Sequence, residues 1–283
     1  MSSLFFKSLL GTALSLNLLT YPEITTVNPV TREAVEVSHD KKAMASALSV
    51  EEMMLMYIDC DHKTYSQKGF QYTKTAEEVS QGAVKRQNLE NLLINYFNEE
   101  KIKRGLPDDP EEIYDPLDGK GNFENGFNDF RYRLGKYKET HEGIDIFAKL
   151  GSEIFAPVSG VVVASSDDWT GHLERRKGFI YDGGGLSALS GNGVILFNPN
   201  DRSYYFLIHM KDVLVKTGDV VSRGTVLGTV GKTGNARNTP PHLHEAWKKQ
   251  GGSCGRNDVL VAQNPYPYLI AARRIFMANN QDK

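Results

Sequence analysis

Residues 203–230, SYYFLIHMKDVLVKTGDVVSRGTVLGTV, decide the class of fold. Ser203–Ile208 and Val226–Val230 are short runs rich in β-branched and aromatic residues, and the chain between them turns at Gly218 and Gly224 instead of holding a helical spacing. The stretch therefore reads as strands joined by a glycine-punctuated hairpin. The same reading extends outward to Val158–Ala164, Val194–Phe197 and His242–Trp247, each bounded by Gly- or Asn-rich turns. The second half of the chain is predominantly β. Between Ser165 and Gly193 lies a long polar insertion carrying Trp169, His172 and three glycines at 183–185, which suits a surface loop beside a site.

Toward the N-terminus the pattern changes. Ser49 with Glu52, and Thr75 with Glu78, are capping boxes, because each places a hydroxyl acceptor three residues before a carboxylate that reaches back to the cap N–H. After the second box, Leu89, Leu92, Leu93, Tyr96, Phe97 and Ile102 recur mostly at helical spacing. Lys101, Lys103 and Arg104 suit a helix C-terminus, and Gly105 and Pro107 end it. The Met53, Met54 and Met56 cluster reads as core filler. Residues 105–130 carry Pro107, Pro110 and Pro116 and eight acids against the single base Lys120, the composition of a solvated connector. A segment folding over the site is the alternative.

The expected fold class is α+β, a helical N-terminal region followed by an antiparallel β-sheet or sandwich. Residues 1–22 read as a signal peptide, 40–104 as a helical accessory region, 105–130 as an acidic Pro-rich linker and 131–270 as the β domain. The signal peptide rests on Ser8–Leu19, twelve uncharged residues between Lys7 and Pro22, shorter than the roughly 20 needed for a stable membrane span. A buried N-terminal helix is the rival reading. A net charge of −2 with 24% charged residues gives no field for a polyanion, so nucleic acid is not an expected partner. Cys60 and Cys254 match neither a clustered metal motif nor a CxxC pair, and sequence does not show whether they meet.

Four of the seven histidines fall in three clusters of the β half: His141 with Asp145, then His209, then His242 with His244. Strand alternation puts His242 and His244 on one face, and His141 and Asp145, four apart around Gly143, share a face if extended. Three N/O ligands with one open position make a catalytic zinc arrangement, whereas structural sites close with four, often thiolate, ligands.

Taken together, His141-Glu142-Gly143-Ile144-Asp145 and Pro241-His242-Leu243-His244 resemble the two signature motifs of lysostaphin-like (LytM-type) peptidoglycan endopeptidases. Ala156–Val161, Gly191–Val194, Leu207–Met210 and the glycines of the 213–234 hairpin look like the strand entries of that family. The resemblance covers roughly residues 135–247. It implies zinc held by His141, Asp145 and His244, with His209 and His242 as the non-ligand histidines that carry protons or stabilise an oxyanion. It further implies metal-activated hydrolysis of a peptidoglycan stem or cross-bridge peptide, and the signal-peptide reading of residues 1–22 makes export the expectation. A non-catalytic peptidoglycan-binding or amidase-activating relative, and a zinc peptidase of a non-wall peptide, are the other classes considered. Oligomeric state is not legible.

Glu245 stands where that family usually has Phe. Alternation points it away from the ligand face, and it is expected to be a surface charge. Gly231-Lys232-Thr233 echoes a P-loop, but the first glycine it requires would fall at Val226, and Gly191-Asn192-Gly193 lacks the third glycine of a dinucleotide fingerprint. The hairpin at 213–230 also resembles a biotinyl carrier, yet Met210-Lys211 precedes it. His39, His62 and His172 have no partner at metal spacing. Since every candidate site residue lies at or after His141, the upstream regions are expected to be dispensable for chemistry.

Overall fold

The computed structural model describes residues 76–110, 112–133, 137–169, 171, 181–182, 186–187, 189–250 and 260–279. The signal-peptide segment, the Ser49 capping box, both cysteines, His172 and much of the 165–193 insertion lie outside these residues.

Helix α1 spans Ala76–Arg104, and the second capping box at Thr75 lies outside the described residues. It ends in a Schellman arrangement. Gly105 takes φ +62°, its N–H donates to Ile102 O, and Leu106 N–H reaches back to Lys101 O. Leu89, Leu93, Tyr96 and Phe97 form the buried stripe, at the i, i+4, i+7 and i+8 positions that one helical face provides.

After the 105–129 segment come β1 (Phe130–Arg133) and β2 (Tyr137–Thr140), paired with each other, then β3 (Ile144–Phe147), β4 (Glu153–Phe155) and β5 (Gly160–Ser166). Within the insertion, β6 (Tyr181–Asp182) and β7 (Leu186–Ser187) form a small hairpin. Strands β8 (Asn192–Asn198), β9 (Ser203–Val213), β10 (Val220–Val221) and β11 (Val226–Val230) follow. A 3₁₀ turn over Gly234–Asn238 leads to β12 (His242–Gln250), β13 (Leu260–Gln263) and helix α2 (Tyr266–Asn279). The fold class is α+β, and among the described residues the main sheet has nine strands, antiparallel throughout.

The sheet branches at β9. One edge of this long strand pairs with β8 along its length, while the other edge is shared: β12 takes Ser203–Ile208 and β11 takes the part from Met210 onward. The alternation of β8 and β9 is read out on two cores. Val194, Leu196, Tyr205 and Leu207 face one core with α2, and Ile195, Phe197 and Tyr204 face the other with α1. Both faces are covered, so β8 is buried at every position and its sequence reads as a continuous apolar run.

Residues 105–130 differ from the solvated connector expected of their composition. Ile113 and Leu117 are buried in the core beneath the sheet, and Asn122 bridges Phe147 of β3. The acids of this segment are tethered rather than solvated in two places: Asp109 accepts from Ser159, and buried Asp115 accepts from Arg273 of α2. Composition registered the charges but not these partners.

Helix α2 was not read from the sequence, although its start signal is there. Asn264 Oδ1 accepts the N–H of Tyr266 at 3.0 Å, and Pro265, whose fixed φ suits helix entry, immediately precedes the helix. Leu269 and Ala272 seat the helix on the sheet.

Candidate functional site

His244 and Asp145 lie directly opposite each other in the β12–β3 ladder, so pairing alone brings their side chains together on one face. Asp145 Oδ1 is 2.9 Å from His244 Nδ1. His141 sits just beyond β2. Its Nε2 is 3.0 Å from His244 Nδ1 and 3.2 Å from Asp145 Oδ1. Gly143, between His141 and Asp145, permits this approach, since a Cβ there would overlap Glu245 O and stand 2.8 Å from His244 Nε2.

The tautomer of His141 follows from its outer contact. Its Nδ1 is 3.0 Å from Gly126 O, and a carbonyl only accepts, so Nδ1 carries the proton and Nε2 presents a lone pair. Three atoms thus converge at 2.9, 3.0 and 3.2 Å, of which the carboxylate oxygen and His141 Nε2 are both acceptors. One proton on His244 Nδ1 relieves part of the repulsion between them; a divalent cation relieves all of it. One face of a tetrahedron around zinc at about 2.0–2.1 Å has edges of roughly 3.3 Å, close to this triangle. Among the described residues, His141, Asp145 and His244 are the group arranged to hold a metal.

Two further histidines border the triangle. His242, two residues from His244 and so on the same face, places its ring centroid 5.1 Å from that of His209, and its Nε2 is 3.9 Å from Asp145 Oδ1. His242 Nδ1–H donates to Pro240 O at 2.9 Å, and His209 Nδ1–H donates to Thr233 O at 3.1 Å. Each is left with Nε2 as an acceptor. Burial, followed by the neighbouring His244 and His242, pushes the His209 imidazole down to about 3, so it is neutral through the physiological range.

His209 reaches the site through a backbone irregularity. Asn192 pairs with Met210 and Gly193 with Ile208, so β9 carries His209 as the extra residue of a bulge, at φ +67°. This is also the point where β9 exchanges β12 for β11. A left-handed non-glycine residue costs of order 1–3 kcal/mol, and such strain tends to lie where a side chain must be aimed.

The structure thus brings together all five residues singled out from the sequence. Glu142, beside His141, is turned aside to Lys248 Nζ at 2.7 Å. Phe147 and the carbonyls of Gly126, Thr233 and Pro240 were missed. Phe147 shares the Asp145 face of β3, is half-exposed, and lies 5.2 Å from the His242 ring. Its signal was the same alternation used for the histidines.

Glu245 corrects an expectation. Its side chain does point away from the ligand face, but it is fully buried rather than a surface charge, because α2 and residues 113–121 cover the opposite face. Among the described residues neither of its carboxyl oxygens has a hydrogen-bond partner. Burial, with a smaller contribution from Asp115, pushes its carboxyl up to about 8.

Residues 139–255 match the model of peptidase family M23. The chain is 30% identical over 151 residues to the glycyl-glycine endopeptidase ALE-1 of Staphylococcus capitis, an overlap covering 53% of this chain and 35% of that one. It is 30% identical over 170 residues to the peptidoglycan DD-endopeptidase ShyC of Vibrio cholerae, covering 59% and 32%. The chain spans about a third of the length of these curated relatives. Among solved structures, lysostaphin from Staphylococcus simulans aligns with a TM-score of 0.41 at 26% identity, covering 58% of this chain and 56% of that one.

Proposed function

We propose that this chain is an exported zinc-dependent endopeptidase that hydrolyses peptide bonds of bacterial peptidoglycan. The observation that carries the reading is the triangle of His141 Nε2, Asp145 Oδ1 and His244 Nδ1, with edges of 2.9–3.2 Å, bordered by two imidazoles whose outer nitrogens are tied to carbonyls. The match to the family M23 model and relatives whose names state a glycyl-glycine and a peptidoglycan DD specificity support the substrate class. Those two specificities differ, so the bond cleaved here is not inherited from either.

His141, Asp145 and His244 would hold zinc, which when bound would supply a Lewis acid for the scissile carbonyl and lower the pKa of water from 15.7 to about 7. The chain's own groups do the rest. His209, neutral and fixed by Thr233 O, presents Nε2 as a proton acceptor; His242, fixed by Pro240 O, presents Nε2 beside Asp145. Either Nε2 can take the proton of the attacking water, and the imidazole that has taken it becomes an Nε2–H donor able to steady the charge developing on the carbonyl oxygen, each effect worth on the order of 10²- to 10³-fold. Phe147 offers an apolar surface next to His242 for a substrate side chain. Export fits a substrate outside the cytoplasm and the uncharged Ser8–Leu19 segment.

Purified sacculi and casein, each incubated with the full chain, with chelator, and with chelator followed by zinc, test this reading. Release of peptide from sacculi that chelator abolishes and zinc restores is the expected result. Cleavage of casein alone would remove the wall substrate, and activity indifferent to chelator would remove the metal.

A further inference from the structure

The turn Gly126–Asp129 grips His141 with three hydrogen bonds. Gly126 O accepts His141 Nδ1–H at 3.0 Å, Asn128 N–H donates to His141 O at 2.8 Å, and His141 N–H donates to Asp129 O at 2.9 Å. The same Gly126 carbonyl accepts Asp129 N–H at 3.3 Å and so closes the turn over Phe127 and Asn128. Phe127 packs against the core and seats the turn. Asn128 occupies the third position at φ +64°, left-handed backbone that glycine and asparagine adopt readily and β-branched residues resist. The turn lies flush with the imidazole, since a Cβ on Gly126 would stand 3.5 Å from His141 Nδ1.

This contact does more than hold a ring. By keeping the proton on Nδ1 it keeps Nε2 free of one, and Nε2 is the atom 3.0 Å from His244 Nδ1 and 3.2 Å from Asp145 Oδ1. An imidazole released from the carbonyl shares its proton between both nitrogens, and every Nε2–H form is a blocked ligand. The turn precedes residue 139, where the family match begins.

We infer that the Gly126–Asp129 turn is the positioning element of the His141 ligand and that Asn128 is its positioning residue, acting through its left-handed backbone. The affinity readout of this inference rests on the zinc reading above; the tautomer readout does not. Left-handed geometry at Asn128 aims the Gly126 carbonyl at Nδ1 and the Asn128 N–H at His141 O together, so losing it undoes both contacts in one step.

The test uses the full chain carrying Asn128→Val or Asn128→Gly, with zinc affinity measured against a competing chelator. Nitrogen NMR of the His141 ring and thermal unfolding are recorded on zinc-free protein. Asn128→Val is expected to weaken zinc binding about 10- to 100-fold, the range for disturbing an outer partner of a ligand, and to move the proton off Nδ1. Asn128→Gly, free to keep a positive φ, is expected to stay within about twofold of the parent. A folded Asn128→Val protein that keeps Nδ1–H and binds zinc within about twofold of the parent overturns the inference. Should Asn128→Val not fold, Asn128→Ala is judged by the same two readouts. If the parent itself binds no zinc, the zinc reading fails and the ring spectra alone decide: a proton that leaves Nδ1 in the variant upholds the inference, and one that stays overturns it.

Discussion

Removing a ligand and removing a proton carrier have different physical consequences at this site. His244→Ala or Asp145→Asn leaves too few ligands to hold zinc against water, so metal content and turnover should fall together. His209→Ala and His242→Ala take away imidazoles whose rings border the triangle, and should keep near-stoichiometric zinc while losing on the order of 10²–10⁴ in kcat. Metal analysis beside kinetics separates the two classes. Loss of zinc from His209→Ala would reverse its role.

Glu245 gives a pH prediction of definite sign. Its folded pKa is raised to about 8 from an ordinary 4.5, so between these values the folded protein keeps a proton that the unfolded chain has released. Stability from this group is therefore lost as pH rises from about 4.5 through about 8. In zinc-free protein, Glu245→Gln should narrow the fall in unfolding free energy between pH 5 and pH 8 by something on the order of a few kcal/mol. Parallel pH profiles for the two proteins would refute the burial argument. The strand register placed this carboxyl correctly, but whether the face it points to meets water or a helix is not written at residue 245.

At the scale of elements, α1 shows how far local pattern reaches. Its buried stripe and its glycine stop were both legible, because 3.6-residue spacing and C-terminal stop signals depend on neighbours within a turn or two. Its anchoring was not, since buried Glu90 is satisfied by Tyr204 O–H at 2.8 Å and by Arg202, more than a hundred residues away. Leu93→Ala, in the core between α1 and the sheet, should cost about 2–5 kcal/mol. Ile102→Ala, on the same helix but 83% exposed, should change stability by less than about 0.5 kcal/mol. Denaturant unfolding of both variants checks the pair, and equal effects would mean that α1 does not dock as described.

At the scale of the molecule, the upstream segments are part of the same packed unit as the site. Burial of Leu89, Leu93, Tyr96 and Phe97 contributes roughly 1.5–3 kcal/mol per side chain, comparable in sum to the stability of a whole domain. Ile113, Leu117 and the Asp115–Arg273 pair close the opposite core, and the 126–129 turn holds His141. A chain starting at 131 should therefore fail to unfold cooperatively, whereas one starting at 76 should keep a cooperative transition and its zinc stoichiometry. A compact, zinc-binding 131–283 fragment would restore the view that everything before His141 is dispensable.

The chain by itself indicated the strands at 158–164, 194–197, 203–208, 226–230 and 242–247, the buried stripe and glycine stop of the first helix, and the five residues that the fold gathers, because alternation, helical spacing and ligand chemistry are local properties of residue type and spacing. Only the tertiary structure decided that the acidic 105–130 stretch is a packed strap, that Glu245 is buried, and that His209 enters the site on a bulge. Each of these depends on which distant segment covers or pairs with it: α2 over the far face of β12, Arg273 on Asp115, and the handover of β9 from β12 to β11. Burial and pairing across more than a hundred residues are set by the free energy of the whole packed arrangement, which no short window of sequence contains.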